Sequence, residues 1–162
     1  MHAQELARWA IRIAVACYLL RVTLRLRFSS PTPSILSLVL WITGCIAYLI
    51  HVLLAFHAFH GWSHDAAVQF TADETERVVG VHRGEGVWVN YVFAFIWVAD
   101  CIRLARSHLR KTTTLKQIDA FVDVFFALMM FSATVIFGPH YYRVLAVPII
   151  AFWLWLWSRR TD

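Results

Sequence analysis

The sequence has 162 residues, of which 60% are hydrophobic and only 15% charged, and it contains eight tryptophans. Soluble domains are roughly 45–50% apolar and about 25% charged, so this composition argues against a soluble protein and favours a membrane protein. The formal net charge is +5. The basic residues lie at the ends of apolar runs rather than in one stripe, so we predict no nucleic-acid partner.

Five apolar runs are candidate membrane-spanning helices, since about 20 residues cross a bilayer. The first is the weakest, because Arg12 and Arg21 interrupt it, although both lie near its ends and can snorkel. We predict one all-α domain over residues 1–162, a polytopic integral membrane bundle of five transmembrane helices, or of four if the first lies on the surface. The predicted spans are 7–24, 34–60, 87–104, 118–137 and 141–158.

Basic residues near the ends of the spans predict the orientation, because cytoplasmic loops carry an excess of Lys and Arg. The side with fewer of them has Arg8, Arg12, Arg77, Arg83 and Arg143. We therefore expect an inner or plasma membrane protein with a cytoplasmic C-terminus. The richer, cytoplasmic side holds Arg21, Arg25, Arg27, Arg103, Arg106, Arg110, Lys111, Lys116, Arg159 and Arg160.

The outer loop, residues 61–86, is the only sizeable segment outside the predicted spans. Thr71 and Glu74 have the spacing of a capping box, and Gly80 suits the end of a helix. We predict a short amphipathic helix over 72–79 that lies on the outer surface.

Three histidines follow one another at the outer end of the second span, in the stretch "FHAFHGWSHD". At roughly 100° per residue, His57, His60 and His64 fall within about 60° of one another, on one stripe. Imidazoles at such spacing are common ligands of copper, zinc or iron. We therefore predict a transition metal site on the periplasmic or extracellular face, completed by His140. Further ligands or hydrogen-bonding partners of the ligands would be His82, Asp65, Asn90 and Tyr91.

Two other interpretations of these histidines stay open. They are also at home at a membrane interface, where one edge of the ring packs and the other meets water. A haem b near the outer face would use one of them together with His140. A haem deep in the bilayer is disfavoured because His51 is the only histidine at that depth, unless a symmetric dimer shares it.

Acidic residues inside the predicted spans need partners, since ionisable groups are expensive there and often functional. Asp100 precedes Arg103 by three residues, and Asp119 and Asp123 open the fourth span. We predict that they form ion pairs on the cytoplasmic side with arginines of that end. The alternative is an entry path for protons.

Two classes of function fit these patterns. The first is a membrane protein that holds a metal at its outer face, with or without catalysis. The alternative is a haem- or quinone-binding subunit, or an accessory subunit, of a larger respiratory or photosynthetic complex. Expected partners are the lipid bilayer and other membrane subunits, or further copies of the chain. Ser63, His64 and Asp65 are adjacent in sequence, so they cannot adopt the geometry of a catalytic triad.

Overall fold

A computed structural model of the chain describes residues 2–28, 34–110 and 115–159. These residues form an all-helical bundle, and no strand occurs in any of the three ranges. One π-helical turn, Ser132–Ile136, continues the fifth helix. The six α-helices are α1 (His2–Arg27), α2 (Ile35–Phe59), α3 (His64–Val79), α4 (Gly86–Arg110), α5 (Lys116–Phe131) and α6 (His140–Ser158).

Helices α1 and α2 form an antiparallel pair that is packed along its whole length. Near one end, His51 Nδ1 donates a hydrogen bond of 2.9 Å to the carbonyl oxygen of Ala7. Between the ends, Gly44 allows close approach, because a Cβ there would lie 3.1 Å from Cys17 Cβ and 3.0 Å from the Trp97 ring. At the start of α2, the hydroxyl of Ser34 caps the helix by accepting from Ser37 N.

The remaining long helices alternate in direction. Tyr48 on α2 donates a hydrogen bond to the Asn90 carbonyl, and Trp41, earlier on α2, donates to Asp100, later on α4, so these two helices are antiparallel. Helix α5 runs opposite to α4, because Arg103 contacts Asp119 while Phe93 packs on Phe126. Helix α6 is parallel to α1, because Trp153 Nε1 donates to Thr23 Oγ1 at 3.0 Å near one end while Tyr142 lies beside Arg12 near the other. We call the end with the start of α4 the outer end and the opposite one the inner end.

Aromatic rings fill the centre of the bundle. Trp41, Trp97 and Phe126 are the largest side chains that are fully buried, and they come from α2, α4 and α5. The Trp41 ring lies 4.6 Å from that of Phe126 and 5.0 Å from that of Trp97, centroid to centroid. Tyr48 and Phe93 extend the cluster toward the outer end. These contacts join three helices.

The outer connection contains a longer helix than the sequence predicts. Helix α3 begins at His64, eight residues before the expected start, because Ser63 Oγ accepts a hydrogen bond from Ala66 N and caps the helix there. Its C-terminal end is as expected, since Gly80 adopts a left-handed conformation with φ 76°. Buried Ala67 and Ala72 mark the packed face of α3.

Within the part of the chain that the structure describes, four helices are long and apolar enough to cross a membrane, namely α2, α4, the fifth helix with its π-helical turn, and α6. This agrees with the prediction of a polytopic all-α membrane protein at the level of its helices. Helix α1 does not belong to this set, and it carries five arginines. Within the bundle, however, α1 is as long as α2 and lies against it from end to end.

Candidate functional site

The predicted histidine stripe at the outer end does not exist, because the helix that would carry it ends too early. Helix α2 stops at Phe59, and the next turn contains Gly61 and Trp62 with φ values of 54° and 63°. These left-handed conformations redirect the chain before His64 starts α3. The prediction, which assumed one continuous helix, therefore gave the wrong position for His64 relative to His57.

His64 and His60 instead join separate parts of an aromatic cluster. His64 Nδ1 lies 3.0 Å from the Tyr91 hydroxyl, and its ring meets the edge of Trp88. His60 packs edge-to-face on Phe56 and on Phe70 of α3. Burial lowers the pKa of His60, and its Nδ1 has no hydrogen-bond partner among the described residues. The cluster thus docks α3 on α2 and α4.

The other predicted ligands lie apart. His57 is exposed on α2 near Trp62. His140 is exposed at the start of α6, a helix that packs on α1 and on the end of the fifth helix. His82 pairs with Glu76 at 2.8 Å in the outer loop. Asp65 is exposed, and the Asn90 carbonyl accepts from Tyr48.

The predicted transition metal site and the predicted haem b are therefore wrong. Across residues 2–28, 34–110 and 115–159, no group of three or more His, Cys, Asp or Glu side chains could hold a metal ion. The physical reason is the turn at Gly61 and Trp62 together with the distant position of α6. The copper, zinc and iron alternatives rested on the convergence of His57, His60, His64 and His140, and these side chains do not converge.

A network of charged side chains lies at the inner end, and its centre is buried Asp100. Trp41 Nε1 donates a hydrogen bond of 2.8 Å to Asp100 Oδ2. The guanidinium of Arg21 lies 3.7 Å from the centroid of the Trp41 ring. Arg21 is 5% exposed and Asp100 is 3% exposed. The tryptophan therefore places a buried cation on its face and a buried anion at its edge, which combines a cation–π contact with a charge-assisted hydrogen bond.

The network continues through Arg103 to α5. Arg103 donates to Asp100 Oδ1 through Nε at 2.8 Å and Nη2 at 2.6 Å, and Nη2 also donates to Asp119 Oδ1 at 2.6 Å. A separate ion pair joins Arg25 on α1 to Asp123 on α5. Ion pairs and the Trp41 bridge thus connect α1, α2, α4 and α5. We call this set, Arg21, Arg25, Trp41, Asp100, Arg103, Asp119 and Asp123, the inner network.

Trp41 is the member of the inner network that the sequence does not identify, since it stands inside an apolar run without a charged neighbour. Arg21 is among the arginines that the sequence predicts as partners of the acidic residues, but its position on the Trp41 ring is not predicted. Their relation depends on α1 and α2 being antiparallel in register. The sequence does contain one indication, however. A basic residue in one apolar segment and an acidic residue in another predict that the two helices lie close together and that these charges pair.

Comparisons with known proteins identify no relative. No protein-family model, no curated protein and no solved structure matches the chain.

Proposed function

We propose that the chain is a non-catalytic scaffold subunit of a larger membrane assembly and crosses the bilayer five times. The observation that carries this proposal is the inner network. Its charges are held in place by one another: Arg103 joins Asp100 to Asp119, and Arg25 pairs with Asp123. Such an arrangement fixes the positions of helices in an apolar medium, where hydrophobic burial gives little force between them.

The inner network supports this role better than it supports a path for protons. A relay needs side-chain oxygens that are free to exchange partners. Both oxygens of Asp100 are already engaged, because Oδ2 accepts from Trp41 and Oδ1 accepts from Arg103. The same contacts lock α2 to α4, and through Asp119 they lock α4 to α5.

We expect a neighbouring membrane protein to bind on the exposed face of helix α6. Leu156 is its only buried residue among the 19 that it contains. It is attached to α1 by the hydrogen bond from Trp153 to Thr23 and by the proximity of Tyr142 to Arg12. Large apolar side chains such as Val147 and Leu154 point away from the bundle. A neighbouring membrane protein with a helix of matching shape would pack on this face, while lipid covers the exposed faces of α1 and α2.

Site-specific photocross-linking tests this proposal. A benzoylphenylalanine replaces Val147 on α6 or, as a matched control, Leu53 on α2; the two native side chains are 69% and 57% exposed. We expect a protein adduct of constant mass from position 147 alone, and a complex of constant stoichiometry when the chain is purified from its native membrane in mild detergent. A monomer with no protein adduct would refute the proposal, as would equal adducts from both positions or an adduct made of two copies of this chain.

The proposed orientation places the inner end in the cytoplasm. Eight of the described basic residues lie at the inner end and five at the outer end, and the positive-inside rule assigns the richer end to the cytoplasm. The C-terminus of α6 is then cytoplasmic, and α3 with its aromatic cluster faces the periplasm or the cell exterior. Helix α1 crosses with the others because its contacts with α2 extend over its whole length.

A further inference from the structure

The inner end exposes basic side chains from four helices. They stand at the end of α1, over the last two turns of α4, at the start of α5 and just after α6. We call them the basic rim: Arg27, Arg106, Arg110, Lys116 and Arg159, all of which are exposed.

Geometry brings these helix ends together. The Arg25–Asp123 pair holds the end of α1 beside α5, and the Thr23–Trp153 hydrogen bond holds it beside α6. On α4, Arg103, Arg106 and Arg110 are three and four residues apart and therefore share one face. Because Arg103 reaches Asp119 on α5, this face of α4 is directed to the side on which Lys116 opens α5. The basic rim is thus a continuous zone.

The acidic residues described at the inner end belong to the inner network rather than to the basic rim. The side chain of Asp100 is buried, whereas those of Asp119 and Asp123 are 24% and 43% exposed. The described part of the chain has three of them there, Asp100, Asp119 and Asp123, and each pairs with Arg25 or Arg103. The outer end differs, since its five arginines are accompanied by six acids: Glu5, Asp65, Asp73, Glu74, Glu76 and Glu85. Strong positive charge is therefore a property of one end only.

Exposed apolar side chains accompany the basic rim. Leu109 is 81% exposed between Arg106 and Arg110, and Trp157 is exposed two residues before Arg159. Cations at the same level as leucine and tryptophan match the boundary of a bilayer, where phosphates lie above the acyl chains. We propose that the basic rim binds the headgroups of anionic phospholipids, which makes the bundle selective for a negatively charged leaflet.

The proposal follows from charge complementarity, and it rests on the proposed membrane insertion. Each Lys or Arg near an anionic leaflet strengthens attraction on the order of fivefold. Five such side chains at one level attract a shell of negative headgroups more strongly than neutral ones. An acidic protein or a nucleic acid would fit the charge but not the exposed Leu109 and Trp157.

The test uses the full chain reconstituted into vesicles of equimolar phosphatidylglycerol and phosphatidylcholine with identical acyl chains. The protein is then extracted in mild detergent, and the lipids that remain bound are counted by mass spectrometry. We compare wild type with Arg106→Gln/Arg110→Gln and with the matched outer pair Arg77→Gln/Arg83→Gln. A parallel sample receives excess inorganic phosphate, which separates a headgroup site from a site for free phosphate.

We expect wild type to retain phosphatidylglycerol preferentially, the inner double variant to lose on the order of 25-fold in that preference, and the outer variant to keep it. Added phosphate should leave the bound lipid in place. Equal retention of both lipids by wild type, an equal loss in both variants, or displacement by phosphate would overturn the proposal. Equal retention by a fully inserted protein would leave the scaffold function intact, whereas failure to insert into vesicles would refute that function itself. Matching circular dichroism spectra verify that the variants are folded.

Discussion

Replacement of Asp100 by asparagine should destabilise the bundle strongly. Asparagine has nearly the same shape but only one acceptor oxygen, whereas Asp100 accepts from Trp41 at Oδ2 and from Arg103 at Oδ1. The change therefore removes the negative charge and places an NH2 donor against one of these two donors. Asp100 is 3% exposed, and it lies about 15 Å along α4 from Arg110, so water cannot replace the lost anion. The buried guanidinium of Arg21 then remains on the Trp41 ring without its nearby counter-charge.

Removal of one partner from a buried ion pair costs about 3–5 kcal/mol. Arg103 keeps Asp119 as a partner, so we expect the lower part of this range, about 3 kcal/mol. Asp123→Asn is the matched control, because the side chains of Asp123 and Arg25 are 43% and 41% exposed, and pairs of this kind contribute roughly 0–1 kcal/mol.

The assay is unfolding by sodium dodecyl sulfate from mixed micelles, followed by circular dichroism, which gives a free energy of unfolding for each variant. A difference between Asp100→Asn and Asp123→Asn of less than about 1 kcal/mol would show that the centre of the inner network is not the buried ion cluster described above.

Three further predictions concern packing and topology. Gly44→Val should destabilise by about 1–3 kcal/mol in the same assay, because its side chain would press on Trp97 and Cys17 between α1 and α2; an unchanged stability would contradict this close approach. Cys45 on α2 and Cys101 on α4 lie close to each other, so they should form a disulfide on treatment with copper phenanthroline, while Cys17 stays available to an alkylating reagent in denaturant. Peptide mass spectrometry that finds Cys17 in the bridge would refute the pairing. Alkaline phosphatase fused to the C-terminus should be inactive in a bacterial host and a green fluorescent protein fused there should fluoresce, whereas the opposite pattern would reverse the proposed orientation.

The sequence predicts the helical class and most helix positions, because long apolar runs admit few other structures. It fails at the outer end for a local reason. The stretch "FHAFHGWSHD" reads as one helix by spacing, yet Gly61 and Trp62 both turn left-handed and Ser63 starts a new helix. A single glycine in a helical pattern is tolerated often enough that this break could not be predicted. The predicted metal site depended on a helix without such a break.

Helix α1 shows how tertiary contacts override a local measure of hydropathy. Its arginines exclude it from the helices that are apolar enough to cross a membrane on their own. In the bundle, Arg12 lies beside Tyr142, Arg21 stacks on Trp41 and Arg25 pairs with Asp123. These partners belong to three other helices, so a count along α1 alone cannot include them. Since α1 contacts α2 from Ala7 to Arg21, it shares whatever medium surrounds α2 once the bundle is assembled. The inner network therefore joins α1 to the bundle and supplies partners for two of the arginines that lower its hydropathy.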